Sequence, residues 1–151
     1  MGKNGGMSKT WSNWAGNQVA HPMAISHPTS EAEVSEIVRS AAEAGHTVKV
    51  AASGHSFTSA ALTSGHLMSI EKMSGILAID RERNQVRVAA GTNLNDLNRL
   101  LDAEGLAMAN LGDIAYQTVA GAISTSTHGT GTRLTGLAAQ VVGMRIVKGD
   151  G

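Results

Sequence analysis

Apolar residues recur at the helical period between Thr29 and Gly45, and they share one face while charged residues fall elsewhere. The apolar positions are Val34, Ile37, Val38, Ala41 and Ala42. Ser30 followed by Glu33 is a capping box, and Gly45 is a typical stop. The pattern therefore predicts a first helix between these signals.

A second helix is predicted from Asn93, and it ends at Gly105. Its inward-facing residues are expected to be Leu94, Leu97, Leu100 and Leu101. Short β-branched or apolar runs predict strands at 47–51, 67–70, 76–79 and 85–89. The polar turn from Asp80 to Asn84 joins the last two runs into a predicted hairpin.

The run from Val141 to Val147 is strongly apolar and predicts a final strand. It is followed by Asp150-Gly151, a dipeptide typical of a two-residue hairpin turn. No returning strand follows in the sequence, so we interpret the chain as ending within a supersecondary unit.

Strands that alternate with a helix and then pair with each other predict a mixed α+β domain, not a doubly wound sheet. The 151 residues suffice for one domain with a sizeable core. Residues 1–10 lack the apolar segment of a secretory signal, and we interpret them as a linker or tag with a disordered start. No run of about 18 apolar residues occurs, so the sequence predicts a cytoplasmic protein without a membrane partner.

Composition narrows the possible functions. The 12 basic and 12 acidic residues balance, which argues against nucleic acid as a partner. The absence of cysteine excludes disulfides, thiolate metal sites and a cysteine nucleophile. The six histidines never fall at the spacing of a helical zinc pair, and no metal site is predicted. Eighteen glycines against four aromatic residues indicate that backbone, more than side chains, holds a ligand.

Two stretches of small residues are candidate ligand loops: Ala52 to Phe57, after a predicted strand, and Gly112 to Gly131. Neither a dinucleotide fingerprint nor a P-loop is present. Glycine lets backbone N–H groups approach a phosphate closely, and hydroxyls add donors without bulk. A diphosphate is therefore the expected ligand. The alternative is that these glycines serve only tight turns and close packing.

His55 lies in the first loop and has two interpretations. It is either a polar surface residue or a nucleophile, because a neutral imidazole nitrogen can attack an electrophilic carbon. His128 is expected to hydrogen-bond locally and to shape its own loop. Trp11 and Trp14 are expected to be packing anchors, or to border a flavin or nucleobase ring.

Six motifs in a fixed order make the chain similar to a known family. The motifs are residues 11–16 (WSNWAG), 53–57 (SGHSF), 105–107 (GLA), 110–113 (NLGD), 117–121 (QTVAG) and 126–131 (STHGTG). Together they resemble the PCMH-type FAD-binding domain of the vanillyl-alcohol oxidase family, in its sugar-1,4-lactone oxidase and alditol oxidase branch. The resemblance covers residues 11–151.

The resemblance implies that His55 is joined through a ring nitrogen to the 8α-methyl of FAD. It also implies that Gly112 controls the access of oxygen to the flavin, and that two groups of residues hold the diphosphate and line the flavin. The implied cofactor-binding residues are Ala52, Ser53, Gly54, His55, Ser56, Phe57, Gly112, Asp113, Gln117, Thr118, Gly121, Ala122, Ile123, Ser124, Thr127 and His128.

Members of this branch oxidise a sugar lactone or polyol by hydride transfer to the flavin, and oxygen or another acceptor then takes the electrons. Their substrate is bound by a C-terminal cap domain that we expect to be missing here. Residues 11–151 are thus expected to be a truncated flavin domain of marginal stability, with no catalytic residue assigned. A second chain could supply the rest. The alternatives are a module that binds FAD or another nucleotide diphosphate without turnover, and a piece that dimerises through an exposed strand edge.

Overall fold

The computed structural model describes residues 9–151. The linker predicted at residues 1–10 therefore lies, except for its last two residues, outside the described residues. Three short sheets and three helices form the described part, together with 3-10 turns at Ser59–Ala61 and Leu137–Gln140. The predicted α+β class is confirmed, and the expected mixture of small sheets consists of one parallel sheet and two antiparallel pairs, flanked by helices.

The largest sheet has three parallel strands in the order β3-β5-β4. Its strands are β3 (Ala24–Ser26), β4 (Val48–Ala51) and β5 (His66–Ser69). Because β5 is the central strand, its Leu67 and Met68 are almost fully buried. The predicted first helix is confirmed as α1 (Glu31–Glu43), and it connects β3 to β4.

The other two sheets are antiparallel pairs. Strands β1 (Trp11–Ser12) and β2 (Val19–Ala20) pair near the start of the chain. The predicted hairpin is confirmed as β6 (Ile76–Asp80) and β7 (Gln85–Val88), with a register shift between Ile76 and Ala78.

Helix α1 begins at the predicted capping residue. The Ser30 hydroxyl accepts a hydrogen bond from the Glu33 N–H at 3.2 Å. In the usual capping box the Glu33 carboxylate would accept the N–H of Ser30. Here it accepts the N–H of the preceding residue, Thr29, at 2.7 Å. Ala42, expected on the buried face, is exposed, and only Ala41 of that face is fully buried.

Helix α2 (Leu94–Ala103) supplies the main apolar cluster. Leu94, Leu97 and Leu101 are buried there against Ala122 and Leu137. The expectation for Leu100 was wrong: its side chain is 40% exposed, because it lies at the rim of the helical face that the other leucines define.

Two expectations about the C-terminal half were wrong. The stretch from Gly112 to Gly131, expected to be a loop, contains helix α3 (Val119–Ser124). Val141 to Val147 form no strand, and no described strand pairs with them. An apolar run becomes a strand only where a neighbouring chain satisfies its N–H and C=O groups. Val142, Met144 and Ile146 are accordingly exposed.

None of the helices between residues 9 and 151 combines the length and the apolar character that a membrane crossing requires.

Candidate functional site

The first small-residue loop, Ala52–Phe57, directly follows β4 and lies against the turn that joins β1 to β2. Three of its carbonyl oxygens accept hydrogen bonds from that turn. The bonds are Trp14 N–H to Gly54 O (2.9 Å), Asn13 Nδ2 to Ser56 O (2.9 Å) and Gln18 Nε2 to Phe57 O (3.2 Å). The turn thus fixes which way the peptide planes of the loop face.

The N–H groups of the loop are left available by this arrangement. In a trans peptide the C=O of one residue and the N–H of the next point in opposite directions, so the His55 and Phe57 N–H groups point away from the turn. No N–H of residues 53–57 donates to any acceptor within residues 9–151. A run of free backbone donors suits an anion with several oxygens, such as a diphosphate.

Asn13 is the residue that fastens the turn to the loop. Its side chain is only 4% exposed, yet its polar atoms are well paired. The amide nitrogen donates to Ser56 O and to Asn17 Oδ1, and the amide oxygen accepts the Gln18 N–H at 3.0 Å. We did not predict this role, although Asn13 lies in one of the six motifs.

Gly54 allows the loop to lie this close to the turn. Its φ is +64°, in the left-handed region that favours glycine. A Cβ at this position would lie 3.2 Å from Trp11 Cζ2 and 3.4 Å from Asn13 Cα. The conformation therefore favours glycine, and a Cβ would also press on the Trp11 ring.

Aromatic rings surround His55. The Trp14 ring centroid lies 5.4 Å from that of His55 with planes 31° apart, and the Tyr116 centroid lies 6.3 Å away with planes 25° apart. Phe57 meets Trp14 edge to face at 6.4 Å. With Trp11 against Gly54, all four aromatic residues of the chain meet at this loop.

This aromatic group is open to solvent. Trp14, Phe57 and Tyr116 are each between 63% and 69% exposed. An exposed aromatic group of this kind typically marks a ligand or partner site. From the sequence we expected that Trp14 could border a flavin, but we did not predict a role for Tyr116. Its position beside the QTVAG motif is the one sequence feature that points to it.

The contact between the Tyr116 and His55 rings joins the second predicted stretch (Gly112 to Gly131) to the first (Ala52 to Phe57). Two parts of this stretch lie in direct contact, since a Cβ on Gly112 would be 3.0 Å from Thr127 Cγ2. Gln117 Nε2 also donates to the Thr127 hydroxyl at 2.9 Å. His128 Nδ1 lies 2.8 Å from Gly129 O, so the predicted local hydrogen bond of His128 is confirmed.

Helix α3 uses its polar groups internally. Thr118 is 2% exposed and caps the helix by accepting the Gly121 N–H, while Ala122 is fully buried in the apolar cluster. The N–H groups of Val119 and Ala120 donate to Thr92 O and Ala90 O. Ile123 packs against the same cluster, whereas Asp113 and Ser124 are exposed.

Charged groups play little part here, because Asp113 is the one Asp, Glu, Lys or Arg among the predicted cofactor-binding residues. Within the described part of the chain, no group of three or more His, Cys, Asp or Glu residues could hold a metal ion. The arrangement can offer backbone donors, aromatic surfaces and one imidazole whose ring nitrogens make no hydrogen bond to residues 9–151.

Comparison with known proteins places this geometry in a family. Residues 22–151 match a family model described as "FAD binding domain". The chain is 41% identical over 145 residues to the L-gulono-1,4-lactone dehydrogenase of Mycobacterium tuberculosis, which covers 96% of this chain and 34% of that protein. It is 38% identical over 143 residues to the D-arabinono-1,4-lactone oxidase of Eremothecium gossypii, with 92% and 27% covered. The chain thus spans about a third of these relatives.

Solved structures show the same fold. The cholesterol oxidase from B. sterolicum matches with a TM-score of 0.71 over 82% of this chain and 24% of that one, at 16% identity.

Proposed function

The chain belongs to the FAD binding domain family, and we propose that it holds FAD covalently through His55, as part of an enzyme that oxidises a sugar lactone or polyol. One observation carries the proposal: His55 lies within a run of free backbone donors and among exposed aromatic rings. The sequence relatives named above support the substrate class, and the chain itself assigns no catalytic residue.

The residues present fit two parts of such a cofactor, the diphosphate and the flavin ring. The free N–H groups of residues 53–57 would hold the diphosphate, since it needs several donors and little counter-charge. The exposed rings of Trp14 and Tyr116 offer flat apolar surface beside the imidazole, which suits a flavin ring. Ala52, Gly112 and Gln117 would complete the surroundings of the cofactor.

Bound FAD supplies the two-electron oxidation of a CH–OH carbon, with oxygen or another acceptor taking up the electrons. The role of this chain is to bind and orient the cofactor. His55 would anchor it, and the Asn13 turn would keep the loop carbonyls away from the anionic diphosphate. Gly112 supports access for oxygen, although the 3.0 Å from its would-be Cβ to Thr127 Cγ2 gives this glycine a packing role as well.

Replacing His55 tests the proposal directly. We expect His55→Ala to abolish the flavin fluorescence that stays with the protein band on a denaturing gel, while non-covalent FAD is still bound. His27→Ala, at an exposed histidine before α1, is the matched control and should keep the attached flavin. Attached flavin in the His55→Ala protein would show that another residue forms the bond.

A further inference from the structure

The His55 side chain is in contact with two aromatic rings and has no hydrogen bond to residues 9–151. Neither of its ring nitrogens makes a hydrogen bond to a residue in the described range 9–151. Its contacts with ordered groups include the Trp14 and Tyr116 rings, at centroid distances of 5.4 and 6.3 Å. Both distances lie within the range in which aromatic rings attract each other.

The backbone of Trp14 is hydrogen-bonded to the His55 loop. The Trp14 N–H donates to Gly54 O at 2.9 Å, so the peptide before His55 and the Trp14 backbone move together. The neighbouring Asn13 side chain fastens the same turn to Ser56 O. Trp14 is nonetheless 69% exposed, and its ring also makes an edge contact with Phe57.

The backbone on both sides of Tyr116 is hydrogen-bonded to the N-terminal end of α2. Asn93 Nδ2 donates to Tyr116 O at 2.8 Å, and the N–H groups of Leu94 and Asn95 donate to Gln117 O and Ala115 O. The backbone on both sides of Tyr116 is therefore fixed, while its ring is 65% exposed. The Trp14 and Tyr116 backbones are thus held by separate sets of hydrogen bonds. Their rings both contact the His55 imidazole, which has no hydrogen bond to residues 9–151.

We propose that Trp14 and Tyr116 are positioning residues that hold the His55 ring in the orientation needed for covalent attachment of FAD. The proposal rests on the proposed function, in which His55 is the point of attachment. Holding a nucleophile near its attack geometry speeds a reaction because orientation is fixed before the bond forms.

The chemistry of attachment shows why orientation matters. A His55 ring nitrogen forms a bond to the 8α carbon, while one C–H bond at that carbon and the imidazole N–H bond are broken. The two protons and two electrons released are held by the flavin until an acceptor such as dioxygen takes them. The imidazole must present one nitrogen along its ring plane toward the methyl carbon. The Trp14 and Tyr116 rings, with planes 31° and 25° from that of the imidazole, restrict the orientation of this plane.

Loss of the rings should slow attachment. One aromatic pair corresponds to about two- to tenfold in an equilibrium or rate. We therefore expect Trp14→Ala and Tyr116→Ala each to slow attachment by about that factor, and the double variant by more than about tenfold. Trp14→Phe and Tyr116→Phe keep a ring and should recover most of the rate.

The experiment uses the protein that contains this chain, prepared free of flavin and then mixed with FAD. Attached flavin is followed over time by fluorescence on denaturing gels, and the equilibrium binding of FAD is measured in parallel with each variant in a His55→Ala background. Leu77→Ala, which removes another exposed apolar side chain on β6, is the control and should attach flavin at the wild-type rate. Attachment that stays slower at saturating FAD, where weaker binding no longer limits the rate, would support the proposal.

A second readout does not depend on flavin. The ring protons of His55 in the flavin-free protein should show upfield NMR shifts from the neighbouring rings, and these shifts should disappear in the double alanine variant. An attachment rate in the double variant within twofold of wild type would overturn this inference and leave the role of His55 intact. A wild-type protein that attaches no flavin would instead overturn the proposed function, and this inference with it.

Discussion

At the scale of single residues, Gly54 and Gly16 adopt nearly the same left-handed conformation, but only Gly54 is crowded. Their φ values are +64° and +71°, whereas a Cβ would meet Trp11 at 3.2 Å on Gly54 and nothing within 4 Å on Gly16. Gly16→Ala should lower the free energy of unfolding by about 1 kcal/mol through conformation alone.

Gly54→Ala should cost about 1 kcal/mol more than Gly16→Ala, because the loop or the ring must also shift. Urea unfolding of both variants measures the difference. Only Gly54→Ala should weaken FAD binding, since it moves the loop that carries the free N–H groups. Equal losses of stability in the two variants would contradict the crowding argument.

His66 carries a pH dependence that can be stated from its surroundings. Burial lowers the pKa of His66 from its ordinary value of about 6.5, and the positive charges of Lys9 and His46 lower it further. Its Nε2 lies 2.7 Å from the Ser26 hydroxyl, which joins β5 to β3. As the pH falls below about 6.5, the unfolded chain takes up this proton before the folded protein does, so folding is disfavoured.

The wild-type free energy of unfolding should therefore fall more between pH 7.5 and pH 5.5 than that of His66→Gln. His27→Gln makes the same substitution at an exposed histidine and should retain the wild-type dependence. Urea denaturation at the two pH values gives the comparison. The same pH dependence in His66→Gln and wild type would show that other groups cause it.

At the scale of elements, the sequence predicted the features that are encoded locally. Helices α1 and α2 were found because Ser30 and Asn93 cap them and because their apolar residues keep a helical period. Strands β4 to β7 were found within two residues, because each is a β-branched or apolar run between turn residues. The SGHSF loop was found because small residues follow a strand.

The missed elements depend on distant partners. Strands β1 to β3 have two or three residues each, too few for any periodicity to show. Asn13 lies 43 residues from the carbonyl that it binds, and Tyr116 reaches His55 only through the fold. Conversely, Val141 to Val147 have strand character but pair with no described strand. Pattern alone cannot supply these contacts.

At the scale of the whole molecule, residues 89–95 bond to several segments that are distant in the sequence. Gly91 N–H donates to Met73 O, and Thr92 Oγ1 accepts from the Gly75 N–H beside the β6–β7 hairpin. The following residues begin α2 and bond to residues 115–119. The segment after β5, the hairpin, α2 and the Tyr116 segment are therefore all bonded to residues 89–95, and we expect a change there to affect them together.

Gly91 tests this connection. A Cβ on Gly91 would lie 1.8 Å from Ile70 O, and the backbone of one segment would have to move. Gly91→Ala should lower the free energy of unfolding by about 3 kcal/mol or more. Gly143→Ala, where a Cβ meets nothing within 4 Å, should change it by less than about 1 kcal/mol.

Two probes show whether the molecule responds as a unit. Tryptophan fluorescence reports on Trp11 and Trp14 at the His55 loop, and far-ultraviolet circular dichroism reports on α1 and α2. If residues 89–95 couple the parts, both signals in Gly91→Ala should shift to the same lower urea concentration. A shift confined to one probe would mean that the His55 loop and the helices unfold separately. The His55 loop would then be stabilised by the β1–β2 turn alone, independently of the leucine cluster.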